Sequence, residues 1–238
     1  MSISIIVVTY NSSKHIRKLL NSITKQQYDL KKLKIIVVDN NSGDKEILKK
    51  NISRYRNILN IREIYRDKNY GFASSSNLGA RHARGLLLFL NPDTELKNNS
   101  ISVLAEHLSE NSVNIIGGKS LEYSSLRTHR TIYRRPKLST MILEFCSLGK
   151  ILNIKNNFYI DQKAIKSDRQ VDGVGGAYMM VQSKIFSSLN GFDEKFFMYL
   201  EDVDFCIRAA DKKFKIMYCP HSVIRHIGGA SSDNKYRI

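Results

Sequence analysis

The chain has 238 residues, 42% hydrophobic and 25% charged, with no low-complexity tract, fixed-period repeat or linker composition, so disorder and a solenoid are excluded and one compact unit is expected. Its 38 Lys+Arg against 22 Asp+Glu leave a formal charge of +16, which favours nucleic acid, anionic lipid or phosphorylated small molecules without choosing among them, and equally fits a solvated lysine-rich surface. Cys146, Cys206 and Cys219, without any Cys-x-x-Cys pair, argue against a disulfide framework and a zinc knuckle and fit a reducing compartment.

The β-branched run Ile3 to Val8 suits a strand buried on both faces of a parallel sheet. No basic region precedes it, and no window approaches the ~18 apolar residues of a membrane span, so the expected place is the cytoplasm with at most peripheral membrane contact. The run ends in Thr9-Tyr10-Asn11-Ser12, after which Ile16, Leu19, Leu20 and Ile23 recur at helical spacing, with Asn11 or Ser12 as the cap. Ile35 to Val38 runs into Asp39-Asn40-Asn41-Ser42-Gly43-Asp44, Ile61 to Tyr65 reads as a further strand, and Leu86 to Leu90 runs into Asn91-Pro92-Asp93. Between them, Gly71 to Gly79 has the look of a phosphate-cradling loop. It lacks both the Lys-Ser/Thr of a P-loop and Gly-x-Gly-x-x-Gly, so the NTPase and dehydrogenase readings lose support.

A helix is expected at Ile101, Leu104 and Leu108, and an insertion at about 120–170, where Arg127, Arg130, Arg134, Arg135 and Lys137 precede the apolar, helical-looking Met141 to Leu148. Val171 to Val181 reads as a glycine-bearing strand, Gly191 to Asp211 as a turn and a carboxylate-rich helix, and Lys215 to Cys219 and Val223 to His226 as two closing strands. In open α/β sheets ligands bind outside the carboxyl ends of the strands, so the loops at residues 9–12, 39–44 and 91–93 should converge on one crevice.

Four places there carry chemistry. Asp39, at a strand end, either accepts hydrogen bonds from a base imide or ribose hydroxyl, or tightens its own turn. Asp93 either holds a divalent cation bridging two phosphates or completes an Asx/Pro turn. Glu201, Asp202 and Asp204 follow Phe196, Phe197 and Tyr199, and one of them serves as a general base, kept ionised by the helix dipole, or they merely complement that dipole. His226, before Gly228 and Gly229, either completes a metal or diphosphate site or is structural.

In this order, the stretches VVTYNS, IIVVDNNSGD, NYGFASSSNLGA, LLLFLNPDTEL, VDGVGGAYMMV, GFDEKFFMYLEDVDFCIRAA and HIGGAS resemble the family 2 glycosyltransferases of the GT-A fold, closest to the bacterial rhamnosyltransferase-like group of O-antigen and cell-wall polysaccharide assembly. The resemblance covers most of residues 3–96 and 171–231. It implies an α/β fold, a Rossmann-like, mostly parallel sheet flanked by helices with a helical, basic insertion, and a single domain over 1–238 with a nucleotide-binding half (1–96) and an acceptor-binding half (97–238).

By the same resemblance, Thr9, Tyr10, Asn11, Asp39 and Asn40 hold the nucleotide, Asn77 lies near the sugar-phosphate, and Asp93 is the metal ligand, with His226 approaching the metal or diphosphate. Asp202 would be the catalytic base and Glu201 its orienter or an acceptor ligand. Asn91 stands where many relatives carry the first Asp of Asp-x-Asp, which removes one anionic ligand for the Mg²⁺ or Mn²⁺.

The implied reaction is an inverting displacement that moves a sugar, rhamnose from dTDP-rhamnose before others, from a dTDP- or UDP-sugar to a glycan or polyprenyl-diphosphate-linked acceptor. The basic insertion would supply a peripheral contact at the inner face of the plasma membrane. Two rivals remain: an inactive, sugar-binding scaffold of the same fold, and a nucleic-acid-binding protein, for which no recognised signature is present, so no nucleic-acid partner is expected.

Overall fold

The computed structural model describes residues 1–109, 113–136 and 158–227. Strand β1 (Ile3–Thr9) is followed by α1 (Ser13–Thr24), β2 (Leu33–Asp39) by α2 (Lys45–Ser53), and β3 (Asn60–Tyr65) by α3 (Gly71–Arg81). Next come β4 (Leu86–Leu90), β5 (Thr94–Leu96), α4 (Ser100–Ser109), β6 (Ile115–Glu122) and β7 (Ile132–Tyr133). The described part closes with β8 (Arg169–Gln170), β9 (Gly173–Val174), β10 (Tyr178–Gln182), α5 (Ser183–Ser188), α6 (Glu201–Asp211) and β11 (Ile216–His226). The main sheet runs β3-β2-β1-β4-β10-β6-β11-β5, with β8 on β11, while β7 pairs with β9 apart from it.

The expected α/β sheet flanked by helices forms, and its first four strands are all parallel. Beyond β4 the sheet is mixed, because β10 runs antiparallel to both β4 and β6. Alternation decides the two faces. Leu86, Leu88 and Leu90 of β4 join the core under α1, α2 and α4, whereas Leu87 and Phe89 join the core under α3, α5 and α6. Ile16, Leu19, Leu20 and Ile23 form the buried face of α1, each fully removed from water, a contribution of ~1.5–3 kcal/mol per side chain.

Several local expectations are corrected. Neither Asn11 nor Ser12 caps α1: Ser12 makes no side-chain cap bond, and the Ser13 N–H donates to Asp44 Oδ2 at 3.0 Å. Gly71 to Gly79 is no loop but the body of α3, and it begins at Gly71 with φ +82°, where an added Cβ would lie 2.2 Å from the Phe197 carbonyl oxygen. Val171 to Val181 is two strands, β9 and β10, separated by a turn at Gly175 to Ala177. The two closing strands are one, β11, whose register on β6 shifts between Cys219 and Val223, around Pro220, which has no N–H for the ladder. Lys137, Cys146, the apolar stretch Met141 to Leu148, Gly228 and Gly229 lie outside the described residues. Among the described residues no helix is long and apolar enough to cross a membrane.

Candidate active site

The three strand-end loops do converge. A cavity of about 270 Å³, near the lower end for small-molecule sites, is lined by Tyr10 after β1, Asn40 after β2, Asn91, Pro92 and Asp93 after β4, and His226 at the end of β11. Its opposite wall is Gly176 and Ala177 before β10, and Glu201 and Asp202 at the start of α6. Phe197, Met198 and Tyr199 form a rim that is apolar yet solvent-facing, with Phe197 56% and Tyr199 61% exposed.

The rim enters α6 through strained backbone. Tyr199 and Leu200 both have φ of +70°, a left-handed pair of non-glycine residues costing ~1–2 kcal/mol each. That reversal places Glu201 and Asp202 in the first turn of the helix, at the cavity wall. Asp202 is held from two sides: Oδ2 accepts from the Gly176 N–H at 2.7 Å and Oδ1 from the Val203 N–H at 2.8 Å. Glu201 has backbone N–H groups of its own and of Tyr199 nearby, but its Oε2 is buried without a hydrogen-bond partner.

Burial pushes both carboxyls up, against the expectation that the dipole alone keeps them ionised: desolvation followed by the Asp202 charge lifts Glu201 to about 8, and desolvation lifts Asp202 despite its backbone donors. Two neighbouring carboxylates cannot both carry charge cheaply in such a place. The two bonds from Gly176 and Val203 favour charge on Asp202, and that charge helps to lift Glu201, so the pair holds its shared proton on Glu201. Asp204, third of the acidic group, stands apart and accepts from Arg208 Nε at 2.8 Å.

Across the cavity, His226 Nε2 lies 3.1 Å from Asp93 Oδ1 and 3.4 Å from Asn91 Nδ2. Burial raises the Asp93 carboxyl, but the hydrogen-bonding and charge of His226 outweigh it and hold Asp93 below the usual carboxylate range. Apart from this contact with His226, Asp93 Oδ1 has no partner. A buried, unsatisfied carboxylate oxygen beside an imidazole nitrogen fits a divalent cation such as Mg²⁺ or Mn²⁺.

The remaining residues singled out in the sequence have side chains engaged by other parts of the protein. Asp39 is 1% exposed, and its Oδ1 accepts from Thr9 Oγ1 at 3.1 Å and Ser42 Oγ at 2.5 Å while Oδ2 accepts from the Ser42 N–H at 3.1 Å. Asn11 Oδ1 accepts from the Gly43 N–H at 2.8 Å. Asn40 lines the cavity, yet its Nδ2 donates to Asn69 Oδ1 and the Gly71 carbonyl while its Oδ1 accepts from the Tyr70 N–H and Ser75 Oγ. Thr9, Asn11 and Asp39 are absent from the cavity wall.

Asn77 is elsewhere too. Its Nδ2 donates to the Phe192 carbonyl at 2.8 Å and Glu194 Oε1 at 3.0 Å, and its Oδ1 accepts from the Phe192 N–H at 2.9 Å, so it clamps α3 to the turn before α6.

Sequence reasoning overlooked Gly176, whose N–H grips Asp202, and His15, whose Nε2 is buried without a partner and within electrostatic reach of Asp93. A glycine pair at the mouth of a buried strand was the available signal for the first. His15 sits on an amphipathic helix and gave none.

Comparison with known proteins bears on the family and the fold. The model of glycosyl transferase family 2 matches residues 4–187, and that of the N-terminal domain of galactosyltransferase matches residues 156–228. The rhamnosyltransferase WbbL of Escherichia coli (strain K12) is 28% identical over 233 residues, covering 91% of this chain and 80% of that protein. The crystal structure of S. aureus TarS 1-349 superposes with a TM-score of 0.68 at 20% identity, over 96% of this chain and 61% of that one. The mannosyltransferase PcManGT from Pyrobaculum calidifontis, solved in complex with GDP-Man and Mn²⁺, superposes at 0.67 with 18% identity, over 98% and 58%. These two superpositions bear on the fold alone, and it is the GT-A fold.

Proposed function

We propose, since the chain belongs to glycosyl transferase family 2, that it moves a sugar from a nucleotide donor to a glycan or polyprenyl-diphosphate-linked acceptor with inversion, in surface polysaccharide assembly. The observation that carries this reading is the pairing of two unlike walls in one cavity: a buried carboxylate pair at Glu201 and Asp202, and an unsatisfied carboxylate beside an imidazole at Asp93 and His226.

Asp202 is the base. Its two backbone bonds fix the carboxylate at the wall, and burial makes it a stronger proton acceptor than an exposed Asp, which suits removal of a proton from an acceptor hydroxyl. Glu201 stays neutral beside it and limits the negative charge there. A divalent cation, when bound, would be held by Asp93 and His226 and would neutralise charge on the departing diphosphate. Tyr10 and Asn40 contact the nucleotide, while Thr9, Asn11 and Asp39 act by holding the shape of their loop. The exposed Phe197 and Tyr199 offer ring faces to the acceptor sugar.

Rhamnose from dTDP-rhamnose is the first donor to try, on the strength of the rhamnosyltransferase relative. Arg127, Arg130 and Arg134 would favour an anionic acceptor or the cytoplasmic membrane face. Arg135 is less available, since it donates to Asp211 at 2.7 Å. Thermal shift against dTDP-, UDP- and GDP-sugars, with and without Mn²⁺, followed by NMR of the product's anomeric configuration, tests the reading. One donor should stabilise the protein and yield the inverted linkage. Binding without transfer to any glycan or lipid-linked acceptor would instead favour the inactive, sugar-binding scaffold.

A further inference from the structure

Far along β11 from His226 a second cluster of metal-capable side chains stands outside the cavity, and it is the one such group of three among the described residues. His107 comes from the last turn of α4, Asp168 from the residue before β8, and Cys219 from β11 where its register slips. Their ligand atoms all lie within 4.8 Å of one another. Cys219 is seven residues before His226 on one strand, so this cluster is roughly 20 Å from the cavity.

The imidazole is oriented as a metal ligand would be. His107 Nδ1 faces the Val103 carbonyl at 2.7 Å, the bond by which ligating histidines commonly fix their tautomer, and this turns Nε2 toward Asp168 Oδ2, 2.5 Å away. Cys219 is fully buried, and burial together with the neighbouring Asp168 carboxylate pushes its thiol up to about 11 against the backbone N–H groups of Ser222 and His221, so the sulfur is a thiol until a metal takes the place of its proton. His107 and Asp168 are each about a quarter to a third exposed, with side-chain values of 26% and 31%, which leaves a path for an ion to enter.

We propose that His107 Nε2, Asp168 Oδ2 and Cys219 Sγ form a site for a thiophilic divalent cation, Zn²⁺ by ligand chemistry, that staples the end of the insertion onto the sheet. A mixed sulfur, nitrogen and oxygen set selects Zn²⁺ over Mg²⁺ or Mn²⁺. Ligand atoms around tetrahedral Zn²⁺ stand about 3.3–3.8 Å apart, so the ion would displace the hydrogen shared by His107 and Asp168 and widen that gap by about 1 Å. A turn of the partly exposed Asp168 side chain suffices. The Cys219 proton leaves to solvent, two ligands bring one negative charge each, and solvent takes the fourth position. Because Asp168 directly precedes β8, whose Arg169 and Gln170 pair with Tyr218 and Met217, the ion would lock this crossing of chain segments.

Cobalt reports the site directly. The full chain is stripped with chelator under reducing conditions, titrated with Co²⁺ alone, and then challenged with Zn²⁺. One equivalent bound at this site should produce a thiolate-to-cobalt charge-transfer band, Zn²⁺ should abolish it, and in Asp93→Asn, which lacks the cavity's carboxylate ligand, Zn²⁺ but not Mg²⁺ should raise Tm. The band should persist in Asp93→Asn and vanish in Cys219→Ser. His107→Gln, on a partly exposed helix face, should still fold, and its Zn²⁺ affinity should fall about tenfold or more in competition with a chromophoric chelator. No thiolate band in the wild-type protein, a band that survives in Cys219→Ser, or equal Zn²⁺ affinity in wild type and His107→Gln would overturn the proposal. The last result would mark an adventitious ion.

Discussion

The loops after β1 and β2 and the walls built by α6 and β11 both bury polar side chains beside one cavity, but they treat those side chains oppositely. In the first region most bonds close, Asp44 Oδ1 excepted: Asp39 accepts from Thr9 and twice from Ser42, and Asn40 engages Asn69, Gly71, Tyr70 and Ser75. In the second some are left open: Glu201 Oε2 is buried without a hydrogen-bond partner and Asp93 Oδ1 has only His226 beside it, although Asp202 accepts from Gly176 and Val203. An unmade bond on a buried polar atom costs ~1–3 kcal/mol, and at a cavity wall such an atom is placed for a ligand to satisfy. Closed networks shape a site, and open ones work in it.

Substitutions can break that contrast. The largest effect is expected at Asp202. Asp202→Asn should lower turnover ~10²–10⁴-fold, because the amide accepts no proton, while donor affinity stays near wild type and Tm falls by only a few degrees for the one backbone N–H the amide cannot accept. Unfolding of this variant would put Asp202 among the closed networks.

Asp39→Ala should do the reverse, stranding Thr9 Oγ1 and Ser42 in the interior. A stability loss of about 3 kcal/mol, a Tm fall of about 6–12 °C, is expected by thermal melting, with a rise in donor KM that exceeds any fall in kcat. Unchanged Tm with weakened donor binding would mean that Asp39 itself reaches the nucleotide. Asn77→Ala, which removes a clamp remote from the cavity wall, should cost about 1.5 kcal/mol, seen as a Tm fall of about 3–6 °C, with kcat and KM unaltered.

The same contrast governs what the sequence reveals. Strands β1, β2 and β4 were legible because an unbroken β-branched or leucine run can hardly be anything but a strand buried on both faces, and their polar ends located the cavity. The pairing of Glu201 with Asp202, beside aromatic residues, was visible as well. Which residues face inward was not: a strand-end Asp reads alike whether it binds a ligand or its own turn, and Asp39 does the latter in this structure. Gly176 escaped notice because its contribution is a backbone N–H, and His107, Asp168 and Cys219 because they are distant in sequence and meet only when α4 packs on β11. The breaks in β9–β10 and in β11 followed from Gly175, Gly176 and Pro220, residues whose backbone effect depends on the partner strand.

The central claim is that burial leaves Glu201 protonated beside an ionised Asp202, and the pH dependence of stability tests it most directly. Glu201 rises from 4.5 to about 8 on folding, so its contribution is fully present below pH 4.5 and is lost as pH climbs through 8. Glu201→Gln has no such proton to lose. Denaturant unfolding of both proteins from pH 5 to 9 should therefore show the variant gaining on wild type up to about pH 8 and levelling off above it, with a slope of at most about 1.4 kcal/mol per pH unit. Parallel curves, or a difference that appears for Asp202→Asn and not for Glu201→Gln, would contradict the claim and move the proton to Asp202.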